Sequence, residues 1–198
     1  QQMKKKETIL HLICGLPGAG KTTLSKEVAA KTGAVRFCPD EWIKDIWFEK
    51  AETEGNNFRD AIEQLQWKIG KKILQSGGSV IIEWGTWGKD EREKLRNESH
   101  ELGVKVKFYY LSESKDVLKN RILNRNHDHK NHFVISEKEV DELLDLAIKS
   151  IQIPTLEELK TYDFLGEIAG RITEKAKEFV DKGSEIYQGN LPDGAKEH

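Results

Sequence analysis

The residues best suited to do chemistry stand near the amino terminus, where three glycines precede a lysine and two threonines. The run Gly15-Leu-Pro-Gly-Ala-Gly-Lys-Thr-Thr23 fits the pattern G-x-x-x-x-G-K-[ST] without a mismatch. Glycines at these places let backbone N–H groups turn inward around an anion, and a helix that follows adds its positive end. A lysine brings a mobile charge, and a threonine hydroxyl is an oxygen ligand that Mg²⁺ accepts. The run therefore predicts a loop that binds the polyphosphate of a nucleotide, here ATP, together with Mg²⁺.

Within this loop, Lys21 is expected to act on the β- and γ-phosphates as a catalytic residue, and Thr22 is expected to ligate Mg²⁺. The dinucleotide pattern G-x-G-x-x-G fits less well, because Thr23 stands where its third glycine should be. No guanine-specific Asn/Thr-Lys-x-Asp pattern is present in the sequence, which favours ATP over GTP. The residues expected to bind the nucleotide are Gly15, Pro17, Gly18, Ala19, Gly20, Lys21, Thr22 and Thr23.

Two carboxylates follow predicted strands and should lie at the edge of the sheet where ligands collect in open α/β folds. Asp40 is expected to accept the proton of an attacking hydroxyl, although it also stands at the start of a predicted helix and could serve as its N-cap. Glu83 ends an apolar run and is expected to hold Mg²⁺, the alternative being a surface acid at a strand end.

Aromatic and cationic residues complete the set. Trp42, Trp84 and Trp87 could line a pocket for an acceptor with an apolar face, or they could be core residues. Arg121 and Arg125 stand four residues apart before a polar stretch, a pattern typical of a mobile lid whose arginines neutralise the transferred phosphoryl group. The alternative for these arginines is a solvated helix face.

Hydrophobic periodicity predicts strands that alternate with helices, and this alternation indicates a parallel sheet with helices on both faces. The predicted strands cover residues 8–14, 34–37, 79–83, 104–111 and 162–165. The predicted helices begin at residues 21, 39 and 58, and further helices cover residues 89–102, 114–126, 136–150 and 166–182. We expect an α/β fold with one domain over residues 1–182, a lid over about 122–135 and a loose tail over 183–198.

Composition limits the partners of the chain. Its 198 residues carry 32 Lys and Arg against 34 Asp and Glu, a formal net charge of −2, which disfavours nucleic acid as a partner. Two cysteines are too few for a disulfide framework, and no apolar run approaches the roughly 20 residues that cross a bilayer. We expect a cytoplasmic monomer or homodimer without a membrane span or secretion signal.

These motifs, with Cys38-Pro-Asp-Glu-Trp42, Val80–Trp87, Glu91-Arg92 and the segment 152–157, resemble the AAA-family predicted kinases. That group is similar to the P-loop kinases that include chloramphenicol phosphotransferase, zeta toxin and the 5′-kinase domain of phage polynucleotide kinase. The resemblance covers about residues 7–165.

The resemblance implies a three-layer P-loop fold of the nucleoside-kinase type, built on a five-stranded parallel sheet. It also implies that Asp40 is the base, that Arg121 and Arg125 are lid arginines, and that Arg92 lies among the substrate-binding residues. The segment around Pro154 would pack near the adenine. We expect a phosphotransferase that moves the γ-phosphate of Mg-ATP to a hydroxyl of a small molecule.

Two other functions stay open. One is a nucleotide-dependent switch that transfers little phosphate. The other is a polynucleotide 5′-hydroxyl kinase, which the sequence disfavours because Trp42, Ile43 and Lys44 stand where similar polynucleotide kinases carry an arginine shortly after the base.

Overall fold

The sheet occupies the centre of the fold. The computed structural model describes residues 7–47, 58–125 and 135–168, and this part of the chain contains five strands in one sheet. The strands are β1 (Ile9–Gly15), β2 (Val35–Phe37), β3 (Val80–Gly85), β4 (Lys105–Leu111) and β5 (Phe164–Ile168). All neighbouring pairs are parallel, and the strand order is β2-β3-β1-β4-β5. The α/β fold and its five-stranded parallel sheet are therefore confirmed.

Seven helices are described, and all of them lie between these strands along the chain. They are α1 (Lys21–Thr32), α2 (Pro39–Trp47), α3 (Arg59–Gln75), α4 (Lys89–Glu101), α5 (Lys115–Arg125), α6 (Glu137–Ser150) and α7 (Leu156–Leu159). Helix α1 ends as the sequence predicts, because Gly33 adopts a left-handed conformation and its N–H donates to the Ala29 carbonyl at 2.7 Å. Helix α6 begins with the expected capping box between Ser136 and Glu139.

Strand β1 lies at the centre of the sheet, between β3 and β4. Its side chains are therefore buried on both faces, as is usual for a central parallel strand. Leu10 is in register with Val80 of β3 and with Val106 of β4, which places all three in one layer of the core. That core also contains residues of α3, α4 and α7, whereas Ile13 packs on the opposite face with residues of α1, α5 and α6. The result is the expected arrangement of three layers.

Two expectations about the last described segments need correction. The predicted helix over 166–182 is wrong at its start, because residues 166–168 belong to β5, where Leu165 pairs with Phe108 and Ile168 with Tyr110. The short helix α7 has no counterpart among the predicted elements. Residues 126–134 of the predicted lid and the tail lie outside the described residues. In the part of the chain that the structure describes, no helix combines the length and apolar character needed to span a membrane.

Candidate active site

The glycine-rich loop connects β1, the central strand, to α1. Gly18 and Gly20 have φ values of 81° and 100°, which side-chain-bearing residues rarely adopt. At Gly18 a Cβ atom would also lie 2.9 Å from the Leu118 carbonyl of α5, so glycine is needed for packing as well as for backbone conformation. The strand, loop and helix thus stand in the order that the phosphate-binding motif requires.

Lys21, in the first turn of α1, is partly buried, and its Nζ donates to the Leu16 carbonyl at 2.9 Å. Burial lowers the pKa of Lys21, and the negative charges of Glu83 and Asp40 oppose that shift. The ammonium group therefore lies in the electrostatic field of both carboxylates that the sequence singled out. A bound polyphosphate would add the negative charge that favours the protonated lysine.

Glu83 is buried at the end of β3 and accepts hydrogen bonds on both carboxylate oxygens. The Thr22 hydroxyl donates to its Oε1, while the Ser25 hydroxyl at 2.5 Å and the Arg36 guanidinium at 2.8 Å donate to its Oε2. Because the Thr22 hydroxyl donates its hydrogen bond to Glu83, the lone pairs of its oxygen remain available to a cation. These residues fit Mg²⁺, with Thr22 as the ligand and Glu83 as the group that orients it. Among the described residues, no group of three or more His, Cys, Asp or Glu side chains could hold a metal ion by itself.

Asp40 lies inside the first turn of α2, because that helix begins at Pro39, and its carboxylate is not the N-cap. Its side chain is 66% exposed and accepts from the Arg59 Nη1 at 2.5 Å. The same guanidinium donates to the Glu63 carboxylate at 2.9 Å and to the Trp84 carbonyl at 3.1 Å. Arg59 therefore ties the candidate base to α3 and to the carboxyl end of β3.

Sequence reasoning missed three polar residues of this site, namely Ser25, Arg36 and Arg59. Ser25 stands three residues after Thr22, which places both hydroxyls on one face of α1, so helical spacing could have found it. Arg59 and Glu63 are spaced four residues apart on α3, a pattern that indicates an ion pair on the helix but not the contact with Asp40.

Glu63, which pairs with Arg59, makes the stability of the protein depend on pH in a way that can be tested. Burial raises the pKa of Glu63 to about 7; Glu91 of α4 and Asp60 act in the same direction, and Arg59 opposes them. Glu63 therefore keeps its proton in the folded protein up to about pH 7, whereas in the unfolded chain it releases the proton near pH 4.5. The free energy of unfolding of the natural protein should fall as the pH rises from 4.5 to about 7. The Glu63→Gln variant has no such titration, and the difference between the two free energies of unfolding should change by up to about 3 kcal/mol over this range. Urea unfolding of both proteins across the range measures it, and parallel pH profiles would contradict the assignment.

The lid arginines that the sequence predicts lie near the loop. Arg121 donates to the Gly18 carbonyl at 3.4 Å and to Glu113 at 3.1 Å. Burial lowers the pKa of Arg125, the neighbouring charge of Arg121 lowers it further, and Glu83 opposes both effects. Both arginines line a cavity of about 560 Å³ that also contacts Gly18, Ala19, Gly20 and Thr23. This volume lies in the range of small-ligand sites.

The three tryptophans are anchored within the protein. The Trp84 indole N–H donates to the Gln66 side chain at 2.8 Å, and the Trp87 N–H donates to the Gly15 carbonyl at 3.1 Å. Trp42 packs edge-on against Phe37 with their ring centroids 5.9 Å apart. These contacts favour packing over an acceptor pocket, and Trp87 in addition supports the first glycine of the loop.

Arg92 requires a correction, because its side chain is fully buried and offers no exposed atom to an acceptor. Its five N–H groups donate to both carboxylate oxygens of Glu158 and to the carbonyls of Thr86, Trp87 and Gln152. Thr86 has a φ of 45°, an unusual value for a β-branched residue, and the contact with Arg92 helps to hold it. Arg92 is therefore a structural residue behind the site.

Comparisons with known proteins support this description of the fold. The shikimate kinase of Coxiella burnetii (strain CbuG_Q212) is 34% identical over 129 residues, or 61% of this chain, and the chain spans 64% of the length of that relative. The solved gluconokinase from Sinorhizobium meliloti 1021 is 21% identical with a TM-score of 0.52, covering 89% of this chain and 90% of its own. Chaetomium thermophilum Kti12, solved with ADP-AlF3, is 15% identical with a TM-score of 0.57, covering 87% and 96%. At these identities the two structures show a shared fold.

The comparison with protein families covers most of the described chain. A family model described as an AAA domain matches residues 10–147, which include the glycine-rich loop, Asp40, Glu83 and both lid arginines. The match extends over well more than half of the 198 residues. The chain therefore belongs to the AAA domain family and has the fold of its P-loop kinases.

Proposed function

We propose that the protein is a kinase that transfers the γ-phosphate of Mg-ATP to a hydroxyl group of a small molecule. The observation that carries this proposal is the placement of Asp40, which is exposed, bound to Arg59 and close enough for its charge to act on Lys21. A carboxylate whose charge acts on the lysine of a phosphate-binding loop is suited to serve as the base for a hydroxyl acceptor. A switch that only binds nucleotide has no need of one.

In the proposed reaction, the loop amides and Lys21 hold the phosphates, and Asp40 accepts the proton of the acceptor hydroxyl. The acceptor oxygen forms a bond to the γ-phosphorus as the bond from that phosphorus to the bridging oxygen of ADP breaks. Bound Mg²⁺ would supply positive charge to the phosphate oxygens, with Thr22 as its ligand. Arg121 and Arg125 would offset the charge on the transferred group, and positioning would account for much of the rate gain.

The names of the relatives suggest which acceptors to test first. The shikimate kinase and the gluconokinase act, by their names, on hydroxyl compounds that carry a carboxylate. We place hydroxy acids at the head of the list for this chain, followed by sugars, hydroxylated antibiotics and nucleosides. A cytoplasmic location is part of the proposal, and the two cysteines, Cys14 and Cys38, which are both buried and free, support it.

The decisive experiment measures ADP release from Mg-ATP in the presence of separate pools of these acceptors and of short 5′-hydroxyl oligonucleotides. A pool that stimulates release should contain a compound that gains phosphate, which mass spectrometry of the product identifies. Stimulation by the oligonucleotides alone would replace the small-molecule acceptor by a nucleic acid. Tight Mg-ATP binding without stimulation by any pool would contradict the proposal and favour a nucleotide-dependent switch.

A further inference from the structure

Arg36 stands on β2, the edge strand beside β3, and has no task in the proposed reaction. Its side chain is only 16% exposed and makes three hydrogen bonds with other described residues. Its Nε donates to the Ser25 hydroxyl at 2.9 Å, and its Nη2 donates to Glu83 at 2.8 Å and to Glu41 at 3.1 Å. One guanidinium thus connects β2 to α1, to the end of β3 and to the first turn of α2.

The contacts of Arg36 bear on the orientation of the Glu83 carboxylate relative to Thr22. Arg36 binds Oε2 directly, and it also donates to Ser25, whose hydroxyl donates to the same Oε2. With Oε2 held by two donors, the carboxylate cannot rotate about its own axis without losing both of them. Oε1 is therefore kept toward the Thr22 hydroxyl.

Burial makes this arrangement depend on the arginine. The Glu83 side chain is 1% exposed, so solvent cannot replace a lost partner. Burial by itself lowers the pKa of Arg36, but its hydrogen bond with Glu83 and the charge of that carboxylate outweigh burial, so the pKa is raised. The Arg36 guanidinium therefore stays charged across the physiological pH range.

We propose that Arg36 is a positioning residue for the cation site, which holds Glu83 so that the Thr22 proton points to Glu83 and the Thr22 oxygen is presented to Mg²⁺. The proposal rests on the proposed function, because it assumes that Thr22 ligates the Mg²⁺ of a bound nucleotide. It assigns Arg36 a role in metal coupling rather than in contact with the nucleotide. Residues that orient a metal ligand from behind commonly change metal affinity by about 10- to 100-fold when removed.

The test measures binding and needs no acceptor. Calorimetry gives the dissociation constant of a non-hydrolysable ATP analogue once with Mg²⁺ and once with EDTA, and the ratio of the two constants reports the coupling between metal and nucleotide. Arg36→Met removes both charge and geometry, whereas Arg36→Lys keeps the charge but loses the paired donors. We expect both variants to lose about 10-fold or more of the coupling, with the affinity in EDTA nearly unchanged. A matched control is Lys71→Met, which removes the cation of another ion pair, the one that Lys71 of α3 forms with Glu98 of α4.

The outcomes separate positioning from charge and from misfolding. Coupling within about twofold of the natural protein in both Arg36 variants would overturn the proposal, taking the usual 10-fold effect as the standard. Stronger coupling in Arg36→Met would overturn it as well, because that result would mean that the arginine acts only by repelling the metal. Should Arg36→Met fail to fold, as circular dichroism would show, Arg36→Lys carries the test. A natural protein that binds the analogue without any effect of Mg²⁺ would instead overturn the proposed function itself.

Discussion

Asp40→Asn should lower phosphoryl transfer to the acceptor by about 10²- to 10⁴-fold, the range that loss of a general base usually produces. The amide keeps the size of the side chain and can still accept from Arg59, but it cannot take up the hydroxyl proton. Nucleotide affinity should change far less than the transfer rate, because Asp40 belongs to α2 and acts on Lys21 of the phosphate-binding loop only through its charge. Steady-state kinetics with the acceptor found in the screen, beside calorimetry of nucleotide binding, gives both quantities.

A matched control stands on the same helix. Asp45 is an exposed carboxylate five residues after Asp40, and Asp45→Asn removes the same charge from α2. We expect this variant to keep its transfer rate within about threefold, since the field of a solvent-exposed charge is screened. Equal losses in the two variants would show that α2 contributes only bulk charge. An Asp40→Asn enzyme with an unchanged rate would remove Asp40 from the reaction.

The pair that Asp40 forms with Arg59 complicates the expected result very little. Asp40 is 66% exposed and Arg59 30% exposed, and ion pairs at such places contribute about 0–1 kcal/mol to stability. Arg59 also keeps Glu63 and the Trp84 carbonyl as partners in the variant. A fall in rate should therefore come without a comparable fall in the melting temperature, and this separates a chemical role of Asp40 from a structural one.

The sequence could predict those parts of the site that depend on local patterns. The glycine-rich loop is contiguous, its strand and helix have clear periodicity, and the alternation of elements leaves few ways to build the sheet. The predicted strand at 162–165 overlaps β5 only in part, because Phe164–Ile168 is short and only its pairing with β4 distinguishes it from the start of a helix.

What the sequence could not predict are contacts between charged residues far apart in the chain. Arg36 reaches Glu83 across 47 residues and Arg92 reaches Glu158 across 66, and nothing in the neighbouring residues of either arginine indicates the partner. The helix from residue 89 to 102 contains many charged residues, and nothing in that pattern distinguishes Arg92 as a buried one. The structure instead buries Arg92, because the docking of α7 on α4 supplies an equally buried carboxylate. Tertiary pairing of this kind leaves no periodic signal in the chain.

Arg92→Leu should destabilise the protein by about 3–5 kcal/mol, the usual effect of removing one partner from a buried ion pair. Arg92 is 0% exposed and Glu158 2%, so among the described residues the substitution leaves the Glu158 carboxylate with the Tyr162 hydroxyl, at 2.9 Å, as its remaining side-chain donor. The carbonyls of Thr86, Trp87 and Gln152 lose their donor as well. Urea unfolding measures this loss of free energy. Thermal unfolding should show it as a fall of roughly 6–20 °C in melting temperature.

Two further variants test the cause of this loss. Arg96→Leu changes an arginine one turn later on α4 that is 8% exposed and donates to the Thr161 hydroxyl at 2.7 Å, so no buried charge is left behind and the loss should be smaller. The double variant Arg92→Leu/Glu158→Leu also removes the orphaned charge and should recover about 1–3 kcal/mol relative to Arg92→Leu alone. A double variant less stable than Arg92→Leu would mean that the pair stabilises mainly by packing.

The same arginine connects stability to the candidate site. Arg92 holds the carbonyls of Thr86 and Trp87, and the Trp87 indole in turn donates to the Gly15 carbonyl at the start of the phosphate-binding loop. Without Arg92, Thr86 loses one of the contacts that keep its φ at 45°, a conformation that a threonine leaves readily. Nucleotide affinity should therefore fall in Arg92→Leu even at temperatures where the variant is folded. Calorimetry at such a temperature tests this, because affinity equal to that of the natural protein would show that the loop keeps its conformation without Arg92.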